Sequence, residues 1–180
     1  LKLIKLDCGE NRLSELNVNN NIALRYLYCY NNNLNNLDIS NNPELEILEC
    51  YDNAHLQIES IDNVMFRRNP YGTGIRVLDT TNNLKLKVLK CSSNEIASLD
   101  LSKNSQLLHL DCDDNCIEIL DVSTTQLNHY VPKTIVYSEY PLKCKMASLK
   151  ALYLKRDWRL KGINDTFPVC IARNTQIIYK

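Results

Sequence analysis

Five cysteines keep step with a repeating leucine frame. Cys8, Cys29 and Cys50 are 21 residues apart, and Cys91 and Cys112 repeat that interval. Around each stands one template, Leu-x-x-Leu-x-Cys-x-x-Asn. It reads Leu3, Leu6, Cys8, Asn11, then Leu24, Leu27, Cys29, Asn32, then Leu45, Leu48, Cys50, Asn53. It returns as Leu86, Leu89, Cys91, Asn94 and as Leu107, Leu110, Cys112, Asn115. A period in this range belongs to a solenoid, in which each unit buries its apolar edge only against its neighbours. The usual product of a solenoid is a surface, and its usual work is holding something.

The bulk numbers narrow that work. The 180 residues carry 21 basic and 21 acidic side chains, a formal net charge of zero. This argues against a partner bound through phosphate neutralisation, whether nucleic acid or anionic membrane. Hydrophobic residues make up 44%, too many for a disordered chain. No apolar run approaches the roughly 20 residues of a membrane helix. The chain opens at Leu1 inside a repeat strand, with no signal peptide and no N-terminal cap in view. An upstream part, a secretion signal among the candidates, is therefore expected to be missing.

The cysteines do not read as a disulfide scaffold. Strand residues alternate faces, so Leu6 and Cys8 both point into the core. Stacked strands keep cysteines about 4.8 Å apart, whereas a disulfide needs Cβ atoms about 3.8 Å apart on crossed vectors. The ladder thiols are expected to be free, buried and inert, acting as small hydrophobes. A one-face ladder also cannot surround a zinc ion tetrahedrally. Cys116, Cys144 and Cys170 lie off the ladder, and both a Cys144–Cys170 bridge and separate thiols remain open.

Each unit has two halves. The first, as in Leu24-Arg25-Tyr26-Leu27-Tyr28-Cys29, is expected to be a short parallel strand. The ladder asparagines Asn11, Asn32, Asn53, Asn94 and Asn115 then turn inward and satisfy backbone groups of adjacent coils. The second half reads Leu34-x-x-Leu37-Asp38-Ile39-Ser40 and recurs as Ile96-x-x-Leu99-Asp100-Leu101-Ser102. Too few residues remain per coil for a multi-turn helix. We read residues 1–180 as one domain with an irregular unit at 55–74. There Met65 to Gly72 have lost both leucines and the cysteine, and Pro70 lacks a ladder donor. That segment is expected to be a distorted coil or excursion beside the strand face. Weaker units begin at Leu127 (with Tyr130 and Pro132) and at Leu149 (with Leu152 and Leu154). Residues 155–180, with Trp158 and Thr175 to Tyr179, are expected to cap the last coil.

These residues resemble the leucine-rich repeat family, over roughly Leu3 to Leu154. The pattern is most similar to the short bacterial variety with cysteine on the strand. The tail (Trp158, Gly162-Ile163-Asn164, Thr175 to Tyr179) is similar to ends of cell-surface repeat proteins of gut Bacteroidetes. The resemblance implies a curved right-handed solenoid with a parallel sheet on the concave face, extended or 3-10 turns on the convex face and little α-helix. It also implies a secreted or cell-surface location, a ligand-holding concave face and no catalytic residues or cofactor. The units at Met65 and Pro132 depart from the pattern and interrupt a continuous sheet.

Strand alternation selects the side chains that face solvent. They are Lys5, Asp7 and Gly9 in the first unit, Tyr26, Tyr28 and Tyr30 in the second, and Ile47, Glu49 and Tyr51 in the third. Val88, Lys90 and Ser92 follow, then His109, Asp111 and Asp113, then His129, Val131 and Lys133. Tyrosine offers rigid contact area and a hydroxyl, which favours the tyrosine half as a binding surface. Cross-strand tyrosine pairing for stability fits the same residues. His109, His129 and Asp111 are the one constellation that could hold a divalent metal, although a solvated polar face accounts for them more simply. No calcium loop, phosphate loop or nucleophile elbow is present. The sequence therefore reads as a non-catalytic module that recognises a protein, peptide or glycan. The alternatives are a spacer or adhesin segment of a longer array and a metal-dependent site. Monomer and edge-paired dimer are both compatible with it.

Overall fold

The computed structural model describes residues 2–54, 57–61, 64–68, 72–127, 142–155 and 175–180. Three-residue strands fall where the template puts them: β1 (Lys5–Asp7), β2 (Tyr26–Tyr28) and β3 (Ile47–Glu49). Two longer strands, β4 (Gln57–Ile61) and β5 (Val64–Arg68), come next. Then follow β6 (Val88–Lys90), β7 (His109–Asp111), β8 (Ile119–Asp121), β9 (Leu142–Lys143), β10 (Ala151–Leu154) and β11 (Gln176–Tyr179). No helix occurs among the described residues.

One parallel sheet runs in the order β1-β2-β3-β6-β7-β9. Its register sets leucine beside leucine, from Leu6 through Leu27, Leu48, Leu89 and Leu110 to Leu142. All but Leu6 are fully buried, and this row with the cysteines forms the spine of the core. The strands are short because each coil must turn at both ends within 21 residues. At the strand exit one residue per coil takes a left-handed conformation: Glu10, Asn31, Asp52, Ser93 and Asp114 have φ between 50° and 57°. Such a residue costs about 1–2 kcal/mol when it is not glycine.

The asparagine after it offsets that cost. Asn32 Nδ2 donates to the carbonyls of Cys8 (3.0 Å), Cys29 (3.3 Å) and Tyr30 (3.1 Å), while its Oδ1 accepts from Leu13 N (2.9 Å). Asn53, Asn94 and Asn115 repeat this set one coil further on. The return arc closes through two successive turns, as where Asn21 N donates to Val18 O and Leu24 N to Asn21 O. A second asparagine column ties these turns together. Asn42 Nδ2 donates to Val18 O and Asn21 O, Asn83 to Ile39 O and Asn42 O, and Asn104 to Thr80 O and Asn83 O.

Three sequence expectations change. First, the irregular unit expected at 55–74 is not a separate coil: of the two readings, distorted coil and excursion, the hydrogen-bond frame fits the excursion. The contact that links Asn42 to Asn21 spans 21 residues, and its counterpart from Asn83 to Asn42 spans 41. The twenty extra residues form an insertion inside the third coil, after Asn53 and before Ile75. Ile75 N bonds Asn94 Oδ1 as Leu34 N bonds Asn53 Oδ1, so Ile75 completes the third coil. Within the insertion, β4 and β5 pair antiparallel and, among the described strands, contact only each other. The base is closed: a Cβ on Gly74 would lie 2.8 Å from Ala54 Cβ.

Second, Cys144 stands on the ladder. Cys112 N donates to Lys143 O as Cys91 N donates to Asp111 O, and Cys144 is buried beside Cys112. Its interval is longer than 21 residues, which hid it. Cys170, its suggested disulfide partner, lies outside the described residues. Burial pushes the Cys29, Cys50, Cys91 and Cys112 thiols well above their ordinary pKa, so they remain protonated and unreactive.

Third, Leu149, Leu152 and Leu154 do not start a coil. β10 pairs with β8, the second half of the preceding unit, and β11 adds to its other side. The Leu-x-x-Leu-x-Leu spacing fits either half of the repeat, and here the second half is extended enough to form its own three-stranded sheet. In the unit read from Leu127, that leucine is buried. Tyr130 and Pro132, like Trp158 and residues 162–164, lie outside the described residues.

Candidate functional site

The register arranges the outward side chains in three columns. One carries Lys5, Tyr26, Ile47, Val88 and His109. The next carries Asp7, Tyr28, Glu49, Lys90, Asp111 and Lys143. The third, set by the hydrogen bonds just past the strands, carries Gly9, Tyr30, Tyr51, Ser92, Asp113 and Lys145.

The tyrosines form a built patch. The Tyr30 and Tyr51 rings stack with centroids 4.8 Å apart and planes 4° from parallel. Gly9 makes room for this stack, because a Cβ there would lie 2.6 Å from the Tyr30 ring. Tyr30 is thus held between the first coil's backbone and the third coil's ring. Lys5 Nζ sits 5.0 Å from the Tyr28 ring centre and the Arg25 guanidinium 5.4 Å from that of Tyr26, within reach of a cation–π contact. All four tyrosines are half-buried, and none of their hydroxyls is hydrogen-bonded within the described residues. Burial, then Glu49, Tyr30, Asp52 and Glu10, pushes the Tyr51 phenol up to about 12. It stays a neutral donor at any physiological pH. Ile47 and Glu49 complete the patch on the third coil.

The other half of the face is different in kind. Lys90 Nζ pairs with Glu49 at 2.9 Å and Lys143 Nζ with Asp111 at 3.1 Å. Asp113 accepts the backbone amide of Lys145, and burial raises its carboxyl above the usual range.

His109, expected on the solvent face, is only 3% exposed. Its direct neighbour on β6 is Val88, also buried, and the Lys90–Asp111–Lys143 row lies alongside. Burial, more than any charge, lowers its pKa to about 4. The strand next to β7 is β9, so Lys143 stands beside Asp111. Asp111 is thus held by lysine within the sheet, and the expected His109–His129 pair falls partly outside the described residues. His129, Val131 and Lys133 lie outside the described residues. Among the described residues, no group of three or more His, Cys, Asp or Glu side chains is placed to hold a metal ion.

Asp7, Glu10 and Asp52 border the tyrosine patch but were not singled out as site residues. The available signal was Gly9, the one residue without a side chain in the column that holds Tyr30 and Tyr51.

No family model and no curated protein matches the chain. Among solved structures, the chain is similar to one described as the functional domain of InlJ from Listeria monocytogenes, which includes a cysteine ladder. The identity is 23%, covering 86% of this chain and 39% of that one, with a TM-score of 0.34. It is also similar to the leucine-rich repeat domain of APL1B, at 16% identity over 86% of this chain and 41% of that one, with a TM-score of 0.49. The chain spans about two fifths of the length of each. No helix among the described residues is long and apolar enough to cross a membrane. With a 21-residue coil, a leucine row, two asparagine columns and stacked cysteines under one parallel sheet, the chain has the fold of a leucine-rich repeat solenoid, with a cysteine ladder along its core.

Proposed function

We propose that the chain is a non-catalytic binding module that holds a protein or peptide through the tyrosine half of its strand face. The observation that carries this reading is the patch of Tyr28, Tyr30 and Tyr51. The Tyr30 and Tyr51 rings are held by their stack and by Gly9, Lys5 lies over Tyr28, and the three hydroxyls donate to nothing among the described residues. Rigid aromatic area with free polar tips loses little entropy on contact, which is why tyrosine concentrates in recognition surfaces. The paired charges of the other half suit a solvated face. A secreted or cell-surface location belongs to the same proposal, as the repeat type implies.

The test compares the unmodified chain with a Tyr28→Ala/Tyr30→Ala/Tyr51→Ala variant whose melting curve is retained. Both are used to capture proteins from cell-surface extracts. Any captured protein is then purified and titrated against both forms. Binding lost only in the variant is the expected result. Equal affinity for both forms, or no saturable binding, would overturn the proposal and favour a spacer within a longer array.

A further inference from the structure

The strand face divides by charge as well as by residue type. Towards β9 its charges satisfy one another, as the Lys90–Glu49 and Lys143–Asp111 pairs show. Along the margin Arg25 and Lys87 both close on Glu46. Towards β1 this balance fails. Asp7, Glu10 and Asp52 are exposed, and none makes an ion pair among the described residues. They flank Tyr28, Tyr30 and Tyr51: Asp7 and Glu10 lie on the coil before Tyr28 and Tyr30, and Asp52 on the coil after, beside Tyr51. The exposed cation among them, Lys5, lies over the Tyr28 ring.

The phenols register this imbalance. After burial, the charged groups that act on Tyr28 are Glu49 and Asp7, and those on Tyr30 are Asp7, Glu10 and Glu49. For Tyr51 they are Glu49, Asp52 and Glu10. Every one of them is acidic. A negative rim around rigid aromatic rings is complementary to a long cationic side chain. The ammonium or guanidinium head meets the carboxylates, and the aliphatic stem lies on the rings. Lys5 over Tyr28 already makes half of this arrangement within the chain. Asp7 and Asp52 are two coils apart, about 10 Å by strand spacing, which two long side chains of one extended segment can span.

We infer that the ligand of this face is a basic peptide segment, with Lys or Arg side chains set among Asp7, Glu10 and Asp52 and their stems against Tyr30 and Tyr51. The inference rests on the binding-module reading above and deepens it by naming the ligand's chemistry.

A random 12-residue peptide library displayed on phage is panned against the immobilised chain. Selected peptides are synthesised and titrated against three forms. These are the unmodified chain, a Tyr30→Ala/Tyr51→Ala variant, and an Asp7→Asn/Glu10→Gln/Asp52→Asn variant, each checked by its melting curve. The carboxylate-neutralised variant keeps the rings, and Asn suits the left-handed conformation of position 52. The expected peptides are enriched in Lys and Arg. They lose affinity for the tyrosine variant, bind the neutralised variant about tenfold more weakly, and weaken as salt rises. Peptides that need the tyrosines but show no basic enrichment, and bind the neutralised variant equally, would overturn the inference and leave the binding module standing. Peptides indifferent to both sets of substitutions, or a library that yields no binder, would overturn both.

Discussion

Asn94 is the position where the architecture can be tested most sharply. It is the first ladder asparagine after the insertion and ties the fourth coil to the third. Its Nδ2 donates to Cys50 O (2.9 Å), Cys91 O (3.1 Å) and Ser92 O (3.1 Å), and its Oδ1 accepts from Ile75 N (3.0 Å). The side chain is fully buried. Asn94→Ala strands the Ile75 amide and removes the donor from three carbonyls. Orphaning a buried polar group costs about 1–3 kcal/mol. With the amide and at least one carbonyl left unpaired, the loss is about 3 kcal/mol. For a chain of this size that lowers the melting temperature by about 6–12 °C. Asn11 is the internal control, because it occupies the same column but is exposed, and donates only to Cys8 O and Gly9 O. Water replaces it, so Asn11→Ala costs about 0.5 kcal/mol.

A second substitution tests the direction of the bonds. Asn94→Asp keeps the acceptor for Ile75 N but turns an anionic oxygen toward carbonyls. It is therefore expected to be at least as damaging as Asn94→Ala at neutral pH, and to recover in part as acid protonates it. Thermal and urea unfolding followed by circular dichroism give all three values. If Asn94→Ala cost no more than Asn11→Ala, or if Asn94→Asp were neutral at pH 7, the asparagine column would not be what holds successive coils in register.

Three further outcomes follow from the same geometry. Removing residues 55–74, so that Ala54 joins Ile75, restores the 21-residue spacing; the shortened chain is expected to melt within about 3 °C of the original or above it, and failure to fold would show that the insertion is part of the core. Gly9→Ala places a methyl group where the Tyr30 ring now lies. The ring moves off at a cost of about 1 kcal/mol, so near-ultraviolet circular dichroism of the Tyr30–Tyr51 stack should change far more than the melting temperature, and an unchanged spectrum would mean that Gly9 does not set the stack. His109 titrates below its ordinary value of 6.5, at about 4, because burial disfavours its charged form. The unfolded chain therefore takes up this proton first. The stability it protects is full above about pH 6.5 and falls as pH drops towards 4, and this limb should be absent from the pH–stability profile of His109→Gln.

The leucine and cysteine rows could be read from the chain because a solenoid repeats its local environment once per period. The same buried slot then demands the same residue type every 21 positions. That logic misplaces what breaks the period. Counting back from Leu86 by one unit falls among Met65 to Gly72, so an insertion looks like a degraded coil. Cys144 was lost in the same way, being displaced from Cys112 by more than one period. The second asparagine column was hidden for another reason. Asn42, Asn83 and Asn104 sit among many other asparagines, and only the bonds from Nδ2 to the turns of two coils separate them from surface residues.

The site shows a different limit. Alternation states which face of the sheet a side chain leaves by, and for Tyr28, Tyr30, Glu49 and Asp111 that is enough. It does not state what lies beside the side chain once it is there. His109 and Tyr26 share a column, yet the imidazole is buried while Tyr26 stays half-exposed under Arg25. What stands beside Asp111 is fixed by which segment follows β7 in space. That segment is β9, whose lysine neutralises Asp111. A carboxylate already paired within its own sheet must give up that partner before it can hold another. Asp7, Glu10 and Asp52 make no ion pair among the described residues, so a cation brought to them displaces no partner.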